Sequence, residues 1–129
     1  MKENKLLVQI KQPIDVVFEF TTNPSNTHKW IKSIKLEEAN EHPIKLGTIY
    51  RNKDKSGKWN LYVVSKLENN KIFELVSEDK NYHVRYTYTK NNNKTLMEYF
   101  EWVDAGEIEN PFDKETMDKL KETLESINL

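Results

Sequence analysis

The sequence predicts an α+β fold in which a curved antiparallel sheet of about seven strands wraps around a long C-terminal helix, with two short helices after the first strand. Three observations predict it. Six segments of apolar and polar alternation run from Ile34 to Asp104, and the short polar turns between them suit antiparallel hairpins rather than crossovers. Ahead of them lies a proline-punctuated stretch with helical spacing. A charged segment carrying one narrow apolar stripe closes the chain.

Taken in order, Lys5 to Lys11 alternates loosely and stops before Pro13, which reads as a strand leading into a helix. Ile14, Val17 and Phe18 then recur at helical spacing through Thr22, and Asn23-Pro24 ends that helix because the residue before a proline is pushed out of the α region. A second short helix follows, with Ser25 as its cap, His28 and Lys29 in its last turn, and Trp30 and Ile31 docking it. The strands are expected at Ile34 to Asn40, Thr48 to Lys53, Lys58 to Leu67, Lys71 to Ser77, Tyr82 to Lys90 and Thr95 to Asp104. At the end, Asn110 is the expected N-cap, Pro111 takes the first helical position, and Met117, Leu120, Leu124 and Ile127 form the stripe of a helix running to Leu129.

The 129 residues (15.4 kDa) fit a single domain, 1–129, since domain sizes peak at roughly 100 to 150 residues. The 20 basic and 21 acidic side chains nearly cancel, so no global field favours nucleic acid or an anionic membrane. Only Arg51 and Arg85 are arginines, which further disfavours base and phosphate recognition. The absence of cysteine excludes disulfides, thiolate metal sites and cysteine nucleophiles, and makes the cytosol the natural compartment. No apolar run approaches a membrane span. His28, His42 and His83 lack metal-ligand spacing, no serine sits in a nucleophile elbow, and three glycines cannot build a phosphate loop. No metal, no cofactor and no catalytic residue is therefore assigned.

The run Ile10-Lys11-Gln12-Pro13-Ile14-Asp15-Val16-Val17-Phe18, continued to Pro24 and Trp30, together with Gly47-Thr48 and Tyr50, resembles the opening of the START-like (SRPBCC, helix-grip) superfamily. The element order is similar over nearly the whole chain, while the motif spans about its first quarter. This resemblance implies a helix-grip fold with a hydrophobic cavity. Its members include polyketide cyclases, lipid and hormone carriers and chaperone co-activators, so it does not imply one activity.

The residues point to a small apolar or aromatic ligand. On the sheet, Tyr82, Val84, Tyr86 and Tyr88 share one face and His83, Arg85 and Thr87 the other, which assigns the tyrosines to the concave side. The expected binding set is Met117, Leu120 and Leu124 of the helix against Tyr50, Trp59, Tyr86, Tyr88 and Phe100 of the sheet, with Trp30 gating the mouth. Any of these rings could instead simply fill the core. Two other readings stay open: a cyclase or dehydratase using a buried Glu, drawn from Glu74, Glu98 and Glu101, with a Tyr, and a protein-interaction module using the outer sheet face. The loop Lys53 to Lys58 is expected to be a solvated hairpin tip, with a lid or partner contact as the alternative.

Overall fold

In the computed structural model, which describes residues 1–127, seven antiparallel strands form one curled sheet in the order β1-β7-β6-β5-β4-β3-β2. They are β1 (Glu3–Ile10), β2 (Ile34–Ala39), β3 (Ile49–Asp54), β4 (Trp59–Glu68), β5 (Ile72–Ser77), β6 (Tyr82–Asn91) and β7 (Lys94–Val103). Helix α1 (Ile14–Thr22) and a 3₁₀ helix (Pro24–Lys29) connect β1 to β2, and α2 (Lys114–Glu125) follows β7. Helix α1 has the expected bounds, because Pro13 and Pro24 block continuation at either end.

Two turns differ from the sequence reading. The 3₁₀ helix is capped by Asn23, whose side chain accepts from the Ser25 backbone N–H, so Ser25 sits inside the helix instead of capping it. At the other end α2 begins three residues later than expected. Asn110 takes φ 50° and the Phe112 N–H donates to Glu101, which pulls residues 111–113 out of helical geometry and leaves Asp113 as the cap. Asp113 accepts from the backbone N–H and the hydroxyl of Thr116, and these bonds hold its carboxyl below the usual range. Asn128 and Leu129, the expected end of the helix, lie outside the described residues.

A lowered folded pKa means that the stability linked to Asp113 is present above the unfolded value and is lost as pH falls through the folded one. Asp113→Ala is accordingly expected to lower the thermal midpoint at neutral pH, with the deficit shrinking in acid, while Asp113→Asn retains most of the cap. Equal midpoints for wild type and Asp113→Ala at pH 7 would show that the cap contributes nothing.

The concave face carries the core. Tyr50, Phe73, Tyr86, Tyr88, Met97 and Tyr99 project inward from β3, β5, β6 and β7, and Met117, Leu120 and Leu124 of α2 are buried in the same cluster. Several ring pairs are edge-on, as between Phe18 and Tyr88 (5.1 Å, 73°) and between Tyr86 and Tyr99 (5.3 Å, 90°), an arrangement aromatic quadrupoles favour.

Two β-bulges decide which side chains reach that face. Ile34 pairs with Asp54 and Leu36 with Lys53, so Lys35 is an extra residue and the inward positions of β2 become Ile34, Glu37 and Ala39. A second bulge at Ser65 places Tyr62, Val64 and Leu67 inward on β4. Strict alternation from Ile34 would have sent Leu36 inside; instead it is 43% exposed and Glu37 takes the interior.

Candidate functional site

A cavity of about 720 Å³ lies on the concave face, at the end of the sheet where the β3–β4 turn, the β5–β6 turn and the Glu107–Phe112 segment converge. Ile31 and Ile34 wall one side of it, and Phe73, Leu75, Val84 and Tyr86 form the floor. The exposed residues Lys58, Glu78, Asp79 and Glu109 line its opening to solvent.

A polar wall faces this floor. Glu37 accepts a hydrogen bond from the Thr27 hydroxyl (2.6 Å) and one from the Asn52 amide (3.3 Å), and Asn52 in turn accepts from Asn60 (3.4 Å). Glu37 is half-buried and lines the cavity, deep enough in protein that desolvation raises its carboxyl above the ordinary value against the opposing hydrogen bonds of Thr27 and Asn52. With the folded pKa above the unfolded one, the linked stability is present below the unfolded value and is lost as pH rises through the folded one. Burial therefore works against the charged form of Glu37, which has no ion-pair partner among the described residues.

The tyrosines divide by what their hydroxyls do. Tyr50 donates to the Thr22 carbonyl (2.5 Å), Tyr88 meets the Thr21 hydroxyl (2.6 Å), and Tyr82 donates to Glu101 (2.7 Å). Tyr86 is different. It is 5% exposed and lines the cavity, and its hydroxyl finds no hydrogen-bond partner among the described residues, nor is it one of the fully enclosed unpaired atoms. Burial is the largest cause pushing its phenol up, and Glu37 adds to the rise at both Tyr86 and Tyr62. The Tyr86 ring thus lies inside protein with its polar end free toward the cavity.

The expected binding residues separate into three groups. Tyr86 lines the cavity floor. Tyr50, Tyr88, Met117, Leu120 and Leu124 are closed into the core, and none of them lines the cavity. The space beneath α2 is filled, and the open volume is displaced toward β2, β3 and the segment leading to α2. Trp30 is a core anchor behind the wall, 3% exposed and edge-on to Tyr86 and Phe112, with its indole N–H unpaired among the described residues.

Phe100 and Trp59 are the corrections. Phe100 pairs in register with Arg85 and Lys5 on the convex face and stacks on Trp102 (5.0 Å), because Tyr99 and Glu101 hold the inward positions of β7. Trp59 pairs with Lys53 and lies under the Arg51 guanidinium (4.6 Å), so its ring belongs to the outer face and it reaches the cavity only at the lip. The Lys53 to Lys58 loop closes on itself, with Asp54 Oδ1 accepting from the backbone N–H groups of Ser56 and Lys58 and Gly57 at φ 89°.

The three glutamates suggested by the sequence are all placed elsewhere. Glu74 bonds Arg85 (2.8 Å) and Ser65 on the convex side, and Glu98 shares that side. Glu101 faces inward at 0% exposure but is occupied by Tyr82, Asn4 and the Phe112 N–H. Glu37 was missed because β2 alternates only after the Lys35 bulge, and no residue in the sequence announces that bulge. Its one legible signal is a carboxylate shortly after the Trp30 helix anchor.

No family model and no curated protein matches this sequence. Solved structures do. The Aha1 dimer from Colwellia psychrerythraea is similar over 98% of both chains at 14% identity, with a TM-score of 0.70. XoxI from Bacillus cereus is 11% identical over 98% of this chain and 97% of its own, with a TM-score of 0.71. Ara h 8.0201 is 12% identical over 97% of this chain and 98% of its own, with a TM-score of 0.67. The chain has the helix-grip fold. Identities this low show the fold alone. Within this helix-grip fold the grip of sheet on α2 is packed solid, and the cavity sits beside the helix. No helix among the described residues is long and apolar enough to cross a membrane.

Proposed function

We propose that residues 1–129 act as one domain that binds or carries a small ligand with an apolar or aromatic body in the cavity beside α2. The observation that carries this reading is the unpaired Tyr86 hydroxyl on an apolar floor, facing a volume of about 720 Å³ that opens to solvent. A phenol oxygen that has no protein partner and opens on the cavity is free to hydrogen-bond a ligand. A cavity of this size, with an apolar floor and polar groups converging on it, has the form of a small-molecule site. The neutral composition and scarcity of arginine weigh against nucleic acid as the partner.

The test uses N-phenyl-1-naphthylamine, a neutral probe that fluoresces in apolar surroundings. Wild type is expected to bind one probe per chain saturably. Val84→Trp, which fills the floor, and Ser33→Trp, which narrows the exposed mouth, should each weaken binding at least tenfold while keeping native circular dichroism. No saturable binding by wild type, or unchanged binding by both folded variants, would overturn the proposal.

A further inference from the structure

We propose that the cavity selects a cationic ligand, an aliphatic ammonium on an aromatic or apolar body, with Glu37 as its counter-ion. The proposal rests on the binding reading above and specifies the chemistry of that site.

Charge is the first argument. The lining carries the carboxylates of Glu37, Asp54, Asp79, Glu78 and Glu109, and that of Glu107, which is paired with the N-terminal ammonium of Met1, against the single lining ammonium of Lys58. Hydrogen bonds from Ser56 and Ser77 hold Asp54 and Asp79, respectively, below the usual carboxylate range, so both are ionised at neutral pH. The chain as a whole carries a formal charge of only −1, so this asymmetry belongs to the cavity and not to the composition. A concave, low-dielectric mouth lined with one sign of charge concentrates ions of the other sign.

The interior supplies the second argument, independent of the rim. Tyr62, Phe73, Tyr82, Tyr86, Tyr99 and Phe112 bring six rings to the cavity, and an ammonium set against aromatic faces gains from their quadrupoles. Glu37 stands among them with Thr27 and Asn52 as its hydrogen-bond donors and no cation, and an ammonium there would form a charge-assisted bond. The free hydroxyl of Tyr86, on a side chain 5% exposed, supplies an acceptor oxygen for a second N–H of the same head group. An anionic ligand would meet the unneutralised Glu37 carboxylate. A neutral one would leave it desolvated and unpaired.

Burial disfavours the charged form of Glu37 while Thr27 and Asn52 donate to it, so its replacement by an uncharged isostere is informative. The experiment compares 2-phenylethylamine, 2-phenylethanol and 3-phenylpropionate, which share a ring and a two-carbon spacer, as competitors of N-phenyl-1-naphthylamine. Wild type is expected to bind the amine at least tenfold more tightly than the alcohol, with the carboxylate weakest. Glu37→Gln should lower amine affinity at least tenfold, leave the alcohol within twofold, and melt no lower than wild type.

An alcohol or carboxylate that competes as well as the amine, or an amine preference that survives Glu37→Gln, would overturn the inference while naphthylamine binding keeps the cavity reading. Failure of the amine to displace bound naphthylamine at all would overturn it equally. Loss of naphthylamine binding in wild type removes the cavity reading itself, and the inference with it.

Discussion

Replacing Glu101 with alanine is expected to destabilise the protein by about 3 kcal/mol or more, since each buried donor stripped of its acceptor costs about 1 to 3 kcal/mol. Three donors converge on this fully buried carboxylate: the Tyr82 hydroxyl (2.7 Å), the Asn4 amide (2.9 Å) and the Phe112 backbone N–H (2.8 Å). Together they tie β1, β6 and the approach to α2 to the C-terminal end of β7, so the damage should spread beyond one contact. The burial of Glu101 raises the Tyr82 phenol through its nearby charge, second to the desolvation of the ring itself. For a chain of this size the loss corresponds to a fall of roughly 10 °C in thermal midpoint. Glu101→Gln keeps one accepting oxygen and should fall between the two. A change below about 1 kcal/mol for the alanine variant, measured by urea unfolding with an unchanged slope, would show that water replaces the carboxylate without loss.

Leu120→Ala should cost about 2 to 5 kcal/mol, the range for truncating a fully enclosed leucine and leaving a void. Leu120 is 0% exposed at the centre of the α2 stripe, between Met117 and Leu124, and packs into the cluster that contains Val8, Ile10 and Met97. Because its neighbours Ile10, Met97 and Leu124 are themselves closed to solvent, truncation removes contacts that nothing replaces. The same variant should leave naphthylamine affinity within about twofold under conditions where it is folded, since Leu120 does not line the cavity. A loss of binding larger than the loss of folded protein would place the ligand beneath the helix after all.

Much of the architecture was legible before any coordinates. Pro13 and Pro24 bracket α1 because proline removes a donor and restricts its predecessor, effects that act within a few residues. The inward set Val84, Tyr86 and Tyr88 follows from the period of two in a strand that contains no bulge. Leu120 and Leu124 followed from the helical stripe.

The site was less legible. Phe100 and Trp102 are as apolar as Tyr99 and Met97, so β7 offers two plausible inner faces, and the true one buries Glu101. That choice depends on partners far away in the chain: Asn4, Tyr82 and the turned segment before Asp113. The position of α2 depends on the same carboxylate, which accepts from the Phe112 N–H ahead of the helix, and the helix starts at Lys114 instead of Pro111.

What the amino-acid sequence determined by itself was the element order, the parity of the unbulged strands and the apolar stripe of α2, all products of local sterics and of amphipathic period. The tertiary structure alone decided that Glu37 turns inward at the Lys35 bulge, that Tyr86 is left with a free hydroxyl, and that the open volume lies beside α2 instead of beneath it. The reason is physical: a bulge, a shared buried carboxylate and a void are properties of residues distant in sequence and adjacent in space, and periodicity along the chain carries no information about such pairings.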